Sequence, residues 1–153
     1  MEYLTKANDY HLNDHHLNGH FPNAFGANDT HYATVGLNQQ DKKSFLVFKH
    51  NKYLTVRTEK IAFFYIKYDS SRILCFDRQE YSVNYSLEQI QQLISKLQFF
   101  RLNRQYLVNF EAIKEVEHYF ARKLLVKLIV PVPGELLVSK ERATKFLRWL
   151  ENR

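Results

Sequence analysis

The sequence predicts a mainly β domain with two helices, preceded by a polar arm. Three observations carry that prediction. From residue 44 onward, short runs of β-branched and aromatic residues alternate with turn residues. In two places, after Ser86 and after Ser139, the apolar spacing changes to threes and fours. Residues 7–40 are rich in Asn, His, Asp and Gly and show no steady period.

Each element has a local cause. "FLVFKHNKYLTV" is two apolar runs about His50-Asn51-Lys52, a hairpin turn. "IAFFYIKY" (61–68) is a continuous β-branched and aromatic run, as in a buried strand. "DSSR" (69–72) is turn chemistry, and "ILCF" (73–76) returns as a strand, with Cys75 a small buried hydrophobe. "EYSVNY" alternates as a further strand. Ser86 with Gln89 three residues on is a capping box. Leu87, Ile90, Leu93, Ile94 and Leu97 then line one face of a helix over about 87–96. "FEAI" suits a single helical turn, and "IKEVEHYF" and "LLVKLIV" are strands joined through Ala121-Arg122-Lys123. Pro131 and Pro133 break the chain, because proline cannot donate to a ladder. "LLV" is a last short strand. Ser139 caps a closing helix over about 140–151, with Ala143, Phe146, Leu147 and Leu150 on one face.

The composition divides the chain near residue 41. Residues 1–40 read as a flexible His- and Asn-rich arm, and 41–153 as one folded domain. Five of the seven histidines lie in the arm, in part as H-x3-H-H-x3-H. Asn13, Asp14, Asn18 and Gly19 are poor helix formers there, and no second ligand group closes a tetrahedral site. No metal is therefore expected. The single cysteine excludes an intrachain disulfide, and the start lacks the basic and apolar stretches of a signal peptide. No apolar run approaches the roughly 20 residues of a membrane span. A cytoplasmic protein is expected.

The catalytic vocabulary is missing: no Gly-rich phosphate loop, no nucleophile elbow, no His-Glu-x-x-His and no Cys-x-x-Cys. Neither an enzyme, nor a cofactor, nor a small-molecule substrate is expected. The charge points elsewhere. The arm holds one Lys against four acids, whereas residues 41–153 hold 21 Lys and Arg against 12 Asp and Glu. A basic β domain suits a polyanion, with nucleic acid first. Three polar-basic points are each held by apolar structure: Lys67 to Arg72, Arg101 to Gln105, and Ser139 to Arg142. Arginine bonds guanine O6 and N7; Asn or Gln bonds adenine N6 and N7. Ser139 and the amides of a helix start can hold a phosphate. In "FFRLNRQYLVN" (99–109), Phe99, Phe100, Tyr106 and Val108 would anchor the ends of the polar segment.

"FFRLNRQYLVNFEAIKEVEHYF" resembles the F-F-R-x-[HN]-R-x-[FY]-x-V-N-x-x-x-I signature of the LytTR-type DNA-binding domain. "VRTEKIAFFY" is similar to the family's strand entry, and "LLVSKERATKFLRWL" to its closing V-S-[RK]-x-R segment and helix. The resemblance runs from about Phe45 to Leu150. It implies small packed antiparallel sheets that place loops, not a recognition helix, into successive major grooves. It also implies a bacterial transcription regulator, usually the output domain of a two-component response regulator. Residue by residue, base contacts fall at Ser71, Arg72, Asn103 and Arg104. Phosphate contacts fall at Lys67, Arg101, Gln105, Ser139, Lys140 and Arg142.

Two features depart from the family pattern. Glu141 stands where many members have a second basic residue, and suits a helix N-terminal acid. No phospho-receiver fits in the first 40 residues, so a stand-alone regulator and a piece of a longer one both match the sequence. The expected partner is double-stranded DNA at paired promoter sites, bound by two copies together as a homodimer on DNA. The rival reading is a protein-interaction module whose basic face meets an acidic partner.

Overall fold

The computed structural model describes residues 40–153; the arm and its histidines lie outside the described residues. Ten strands and two helices follow one another. They are β1 (Ser44–Lys49), β2 (Lys52–Arg57), β3 (Ile61–Lys67), β4 (Ser70–Cys75), β5 (Glu80–Ser82), α1 (Leu87–Leu93), β6 (Phe99–Arg101), β7 (Tyr106–Asn109), β8 (Ile113–His118), β9 (Leu124–Leu128), β10 (Leu136–Val138) and α2 (Lys140–Glu151). The fold is mainly β with two helices and antiparallel sheets, as the sequence predicts.

A five-stranded sheet, in the order β5-β4-β3-β7-β6, carries the domain. Its two faces are both covered, and by different elements. On one face Phe64, Ile73, Phe99 and Leu107 pack with Phe45 and Val47 of the β1–β2 hairpin and with Leu87 and Ile90 of α1. On the other, Phe63, Tyr65, Phe100 and Val108 pack with Leu124, Val126, Leu136 and Val138 of the three-stranded sheet and with Phe146 of α2. This explains the unbroken "IAFFY" run: the central strand β3 has no water-facing side. A bulge between Ile61 and Phe63 lets Ala62 and Phe63 serve the same core. Each fully buried large side chain contributes about 1.5–3 kcal/mol. Burial pushes the Cys75 thiol up to about 11, so it stays a protonated, inert core residue.

Turn chemistry sets the registers. His50 and Asn51 both take left-handed φ values of 50° and 62°, the conformation of a two-residue hairpin turn. The β3–β4 turn differs from the sequence expectation. Tyr68 and Asp69 form it, with φ of 51° and 56°, so that Lys67 pairs with Ser70. Ser70, Ser71 and Arg72 therefore belong to β4 and not to the turn.

The capping box of α1 is formed: Ser86 Oγ accepts from Gln89 N at 3.1 Å, and Gln89 Oε1 accepts from Ser86 N at 2.9 Å. Such a cap stabilises by about 1 kcal/mol. The helix stops at Leu93, three residues early, because Ile94 turns to extended backbone and buries its side chain. Leu97, expected on the core face, is 70% exposed. In α2 the aromatic cluster is Phe146 and Trp149 against Phe100, with ring centroids 5.2 Å from Phe100 in both cases. Leu147, expected inside, is 44% exposed.

Candidate nucleic-acid interface

Four connections gather at one end of the domain. The β3–β4 turn follows Lys67, and Ile66 N donates to Gln105 O at 3.0 Å, so that turn lies beside the 102–105 loop. Leu124 pairs with Val138, which sets Lys123 beside Ser139 at the start of α2. Asn103 Nδ2 donates to Leu137 O at 3.2 Å and ties the 102–105 loop to the three-stranded sheet.

The 102–105 loop is anchored at both ends and bonded from within. Phe99, Phe100, Tyr106 and Val108 are all buried, so both ends are anchored as expected. Asn103 Oδ1 accepts from the backbone N–H groups of Gln105 at 2.9 Å and Tyr106 at 3.0 Å. Beneath it lies Arg101, only 8% exposed. Its Nε donates to Asn103 O and its Nη2 to Arg104 O, each at 2.6 Å, while Nη2 also meets Glu88 Oε1 at 3.0 Å. The backbone N–H of Glu88 at the helix start, and then the Arg101 guanidinium, hold the Glu88 carboxyl below the usual carboxylate range.

These bonds bear on two expectations. Arg101 is not offered to a phosphate; it is the internal brace of the loop. Asn103 spends three of its amide's bonds on the fold, two within the loop and one to Leu137 O, and keeps one N–H for a partner. What the loop leaves exposed is Arg104 and Gln105. Arg104 lines a depression of about 350 Å³ together with Lys123, Ser139 and Arg142. The second and third basic points of the sequence thus meet in one place. Lys140 is exposed on the first turn of α2. Arg142 Nε lies buried there with no hydrogen-bond partner among the described residues. Glu141 is exposed on the same turn, and its own backbone N–H at the helix start holds its carboxyl below the usual range.

The first basic point is organised differently. Ser71 is buried, on the face shared with Ile73 and Cys75, and Arg72 points to the opposite face. Ser71 therefore cannot reach a groove as expected, because the register set by Tyr68-Asp69 turns it inward. Arg72 Nη1 lies 3.1 Å and Lys67 Nζ 3.6 Å from Glu80 Oε1, and Tyr65 OH donates to Glu80 Oε2 at 2.7 Å. The Tyr65 bond first, then Lys67 and Arg72, hold the Glu80 carboxyl below its usual range. Among the described residues Arg104 has no such carboxylate partner.

Sequence reasoning missed Lys123, Glu80 and Glu88. Lys123 reads as a strand linker; only the β9–β10 pairing brings it to Ser139. The two glutamates read as ordinary surface acids until their arginine partners are known. Among the described residues no three metal-ligating side chains cluster, and no helix is long and apolar enough to cross a membrane.

A β platform that presents a braced basic loop beside a basic helix start is the frame of a DNA-binding domain. The family model for the LytTr DNA-binding domain matches residues 51–151. The chain belongs to that family, and is a DNA-binding protein of bacterial transcription regulation. Among solved structures, a LytTr DNA-binding domain from Bacillus cereus is similar, with a TM-score of 0.62 and 20% identity over 71% of this chain and 97% of that one. No curated protein matches at a significant level.

Proposed function

We propose that this chain is a sequence-specific regulator that reads the major groove of double-stranded DNA with loops, in the cytoplasm. The observation that carries the reading is Arg104. It projects from a loop braced from within by Arg101 and Asn103, beside Lys123, Ser139 and Arg142. In this reading Arg104 contacts a base, with guanine the best geometric match. Gln105, Lys123, Ser139, Lys140 and Arg142 hold phosphates around it. Lys67 and Arg72 add phosphate contacts from the neighbouring turn, at reduced strength because Glu80 competes for them. Promoter sites are paired, and two copies bind together.

Selection of DNA from a random pool tests the reading. An enriched motif is expected, and Arg104→Ala should then lose about 1–3 kcal/mol on it and relax preference at one base pair. An unenriched pool at moderate salt would favour a protein-interaction module. Wild-type affinity in Arg104→Ala would remove the base-reading role from that residue.

A further inference from the structure

Next to the DNA-facing depression, on the far side of Arg142, lies a second concavity. It is a groove of about 330 Å³ between the 94–97 turn and α2, over the edge strand β6. Its floor is apolar, built from Ile94, Phe100 and Trp149. Its rim is cationic: Arg142, Lys145 and Arg148 line it, and among the described residues none of the three pairs with a carboxylate.

The groove is preformed. Trp149 Nε1 donates to Lys96 O at 2.9 Å, which fixes the indole as one wall. Arg153 sits 4.4 Å over the same ring and donates to Lys96 O at 3.4 Å, closing that end. A phosphate backbone would use the cations but has no use for an apolar aromatic floor. A volume near 330 Å³ is at the small end of ligand pockets, suited to one compact molecule. The occupant that matches both halves is an apolar body carrying a negative head group.

Two arginines make this groove more than a crevice. Arg142 lines both the groove and the depression that holds Arg104. Arg101 lines the groove and also bonds the carbonyl of Arg104. We propose that the groove binds a small amphipathic organic anion, with its head group among Arg142, Lys145 and Arg148, and that occupancy is transmitted through Arg101 to the 102–105 loop. The binding stands apart from the DNA reading; only its consequence for regulation rests on that reading.

The test uses the full chain and two dyes: the anionic 1-anilinonaphthalene-8-sulfonate and the neutral N-phenyl-1-naphthylamine. Saturable one-site binding of the sulfonate is expected by fluorescence titration, with the neutral dye weaker. Lys145→Gln/Arg148→Gln should weaken the sulfonate at least tenfold and leave the neutral dye unchanged. Both side chains are exposed on α2, so the fold should persist, with an unchanged circular dichroism spectrum as the check. Equal sulfonate affinity in the double variant overturns the proposal. So does a concentration-dependent dimer that the double variant dissolves, since the occupant would then be a second copy. Backbone amide resonances of residues 102–105 should move on saturation with the sulfonate; if they stay fixed, the coupling is overturned. Neither readout contains DNA, so a failure of the DNA reading would leave both results interpretable.

Discussion

The two basic points at the loop end of the domain are built on opposite principles. Lys67 and Arg72 are held in place by a carboxylate: Glu80 sits between them and is itself fixed by Tyr65. Among the described residues no carboxylate pairs with Arg104; its position comes from backbone bonds made by Arg101 and Asn103. A cation positioned by an acid has part of its charge already answered. A cation positioned through its own main chain keeps the whole of it for a partner. Three residues apart in sequence, Arg101 and Arg104 divide the labour: one is spent on architecture so that the other is not.

The comparison breaks most readily at Arg101. Removing its side chain leaves the carbonyls of Asn103 and Arg104 without their charged donor. Arg101→Ala should cost roughly 3 kcal/mol of stability in urea unfolding, and should weaken DNA binding at every sequence alike. Arg104→Ala, on an exposed side chain, should leave the urea midpoint within about 0.5 kcal/mol of wild type. If both variants lose the same stability, the division of labour is wrong.

Asn103→Ala comes next. It removes two loop bonds and the tie to Leu137, for about 1–2 kcal/mol. Asn103→Asp keeps the two accepted bonds but loses the donor to Leu137 O, and should recover part of the loss. A preference at one base pair that is relaxed in Asn103→Ala, while other sequences bind as before, would return Asn103 to base reading.

The smallest effect belongs to Glu80→Gln. Partly exposed ion pairs contribute about 0–1 kcal/mol, so little stability should be lost at neutral pH. Freed of the acid, Lys67 and Arg72 should strengthen non-specific binding and steepen its dependence on salt. The pH effect has a definite sign. The Glu80 carboxyl titrates below its ordinary range in the folded chain. Its contribution is therefore complete above that range and fades as pH falls through the lowered value. Acid unfolding of Glu80→Gln should show a shallower fall over that interval; an identical acid limb would mean the Glu80 cluster stores no stability.

Much of this architecture was legible in the residues. The run of β3, the His50-Asn51 turn, the Ser86–Gln89 cap and the four aromatic and aliphatic anchors about the loop need only local chemistry to be read. What was hidden depended on partners distant in sequence. An arginine beneath a loop looks like any other arginine until Glu88, 13 residues away, and the carbonyls of Asn103 and Arg104 are seen around it. Asn103 reads as a base-reading amide until its bond to Leu137, 34 residues on, is found. Tyr68 is an unusual residue for a left-handed turn, so "DSSR" drew the turn to itself and placed Ser71 and Arg72 too far out. Helix α1 ended early because burial of Ile94 outweighed continuation of the helical pattern.

On the proposed reading, the inward-bonded loop also decides how specificity would be re-engineered. Arg101, Leu102 and Asn103 are structural members, and Tyr106 is already part of the core. A combinatorial library aimed at new target sites therefore has two free letters in this segment, positions 104 and 105. Randomising all of 101–106 would mostly sample chains that fail to fold, whereas two open positions give a library small enough to screen exhaustively.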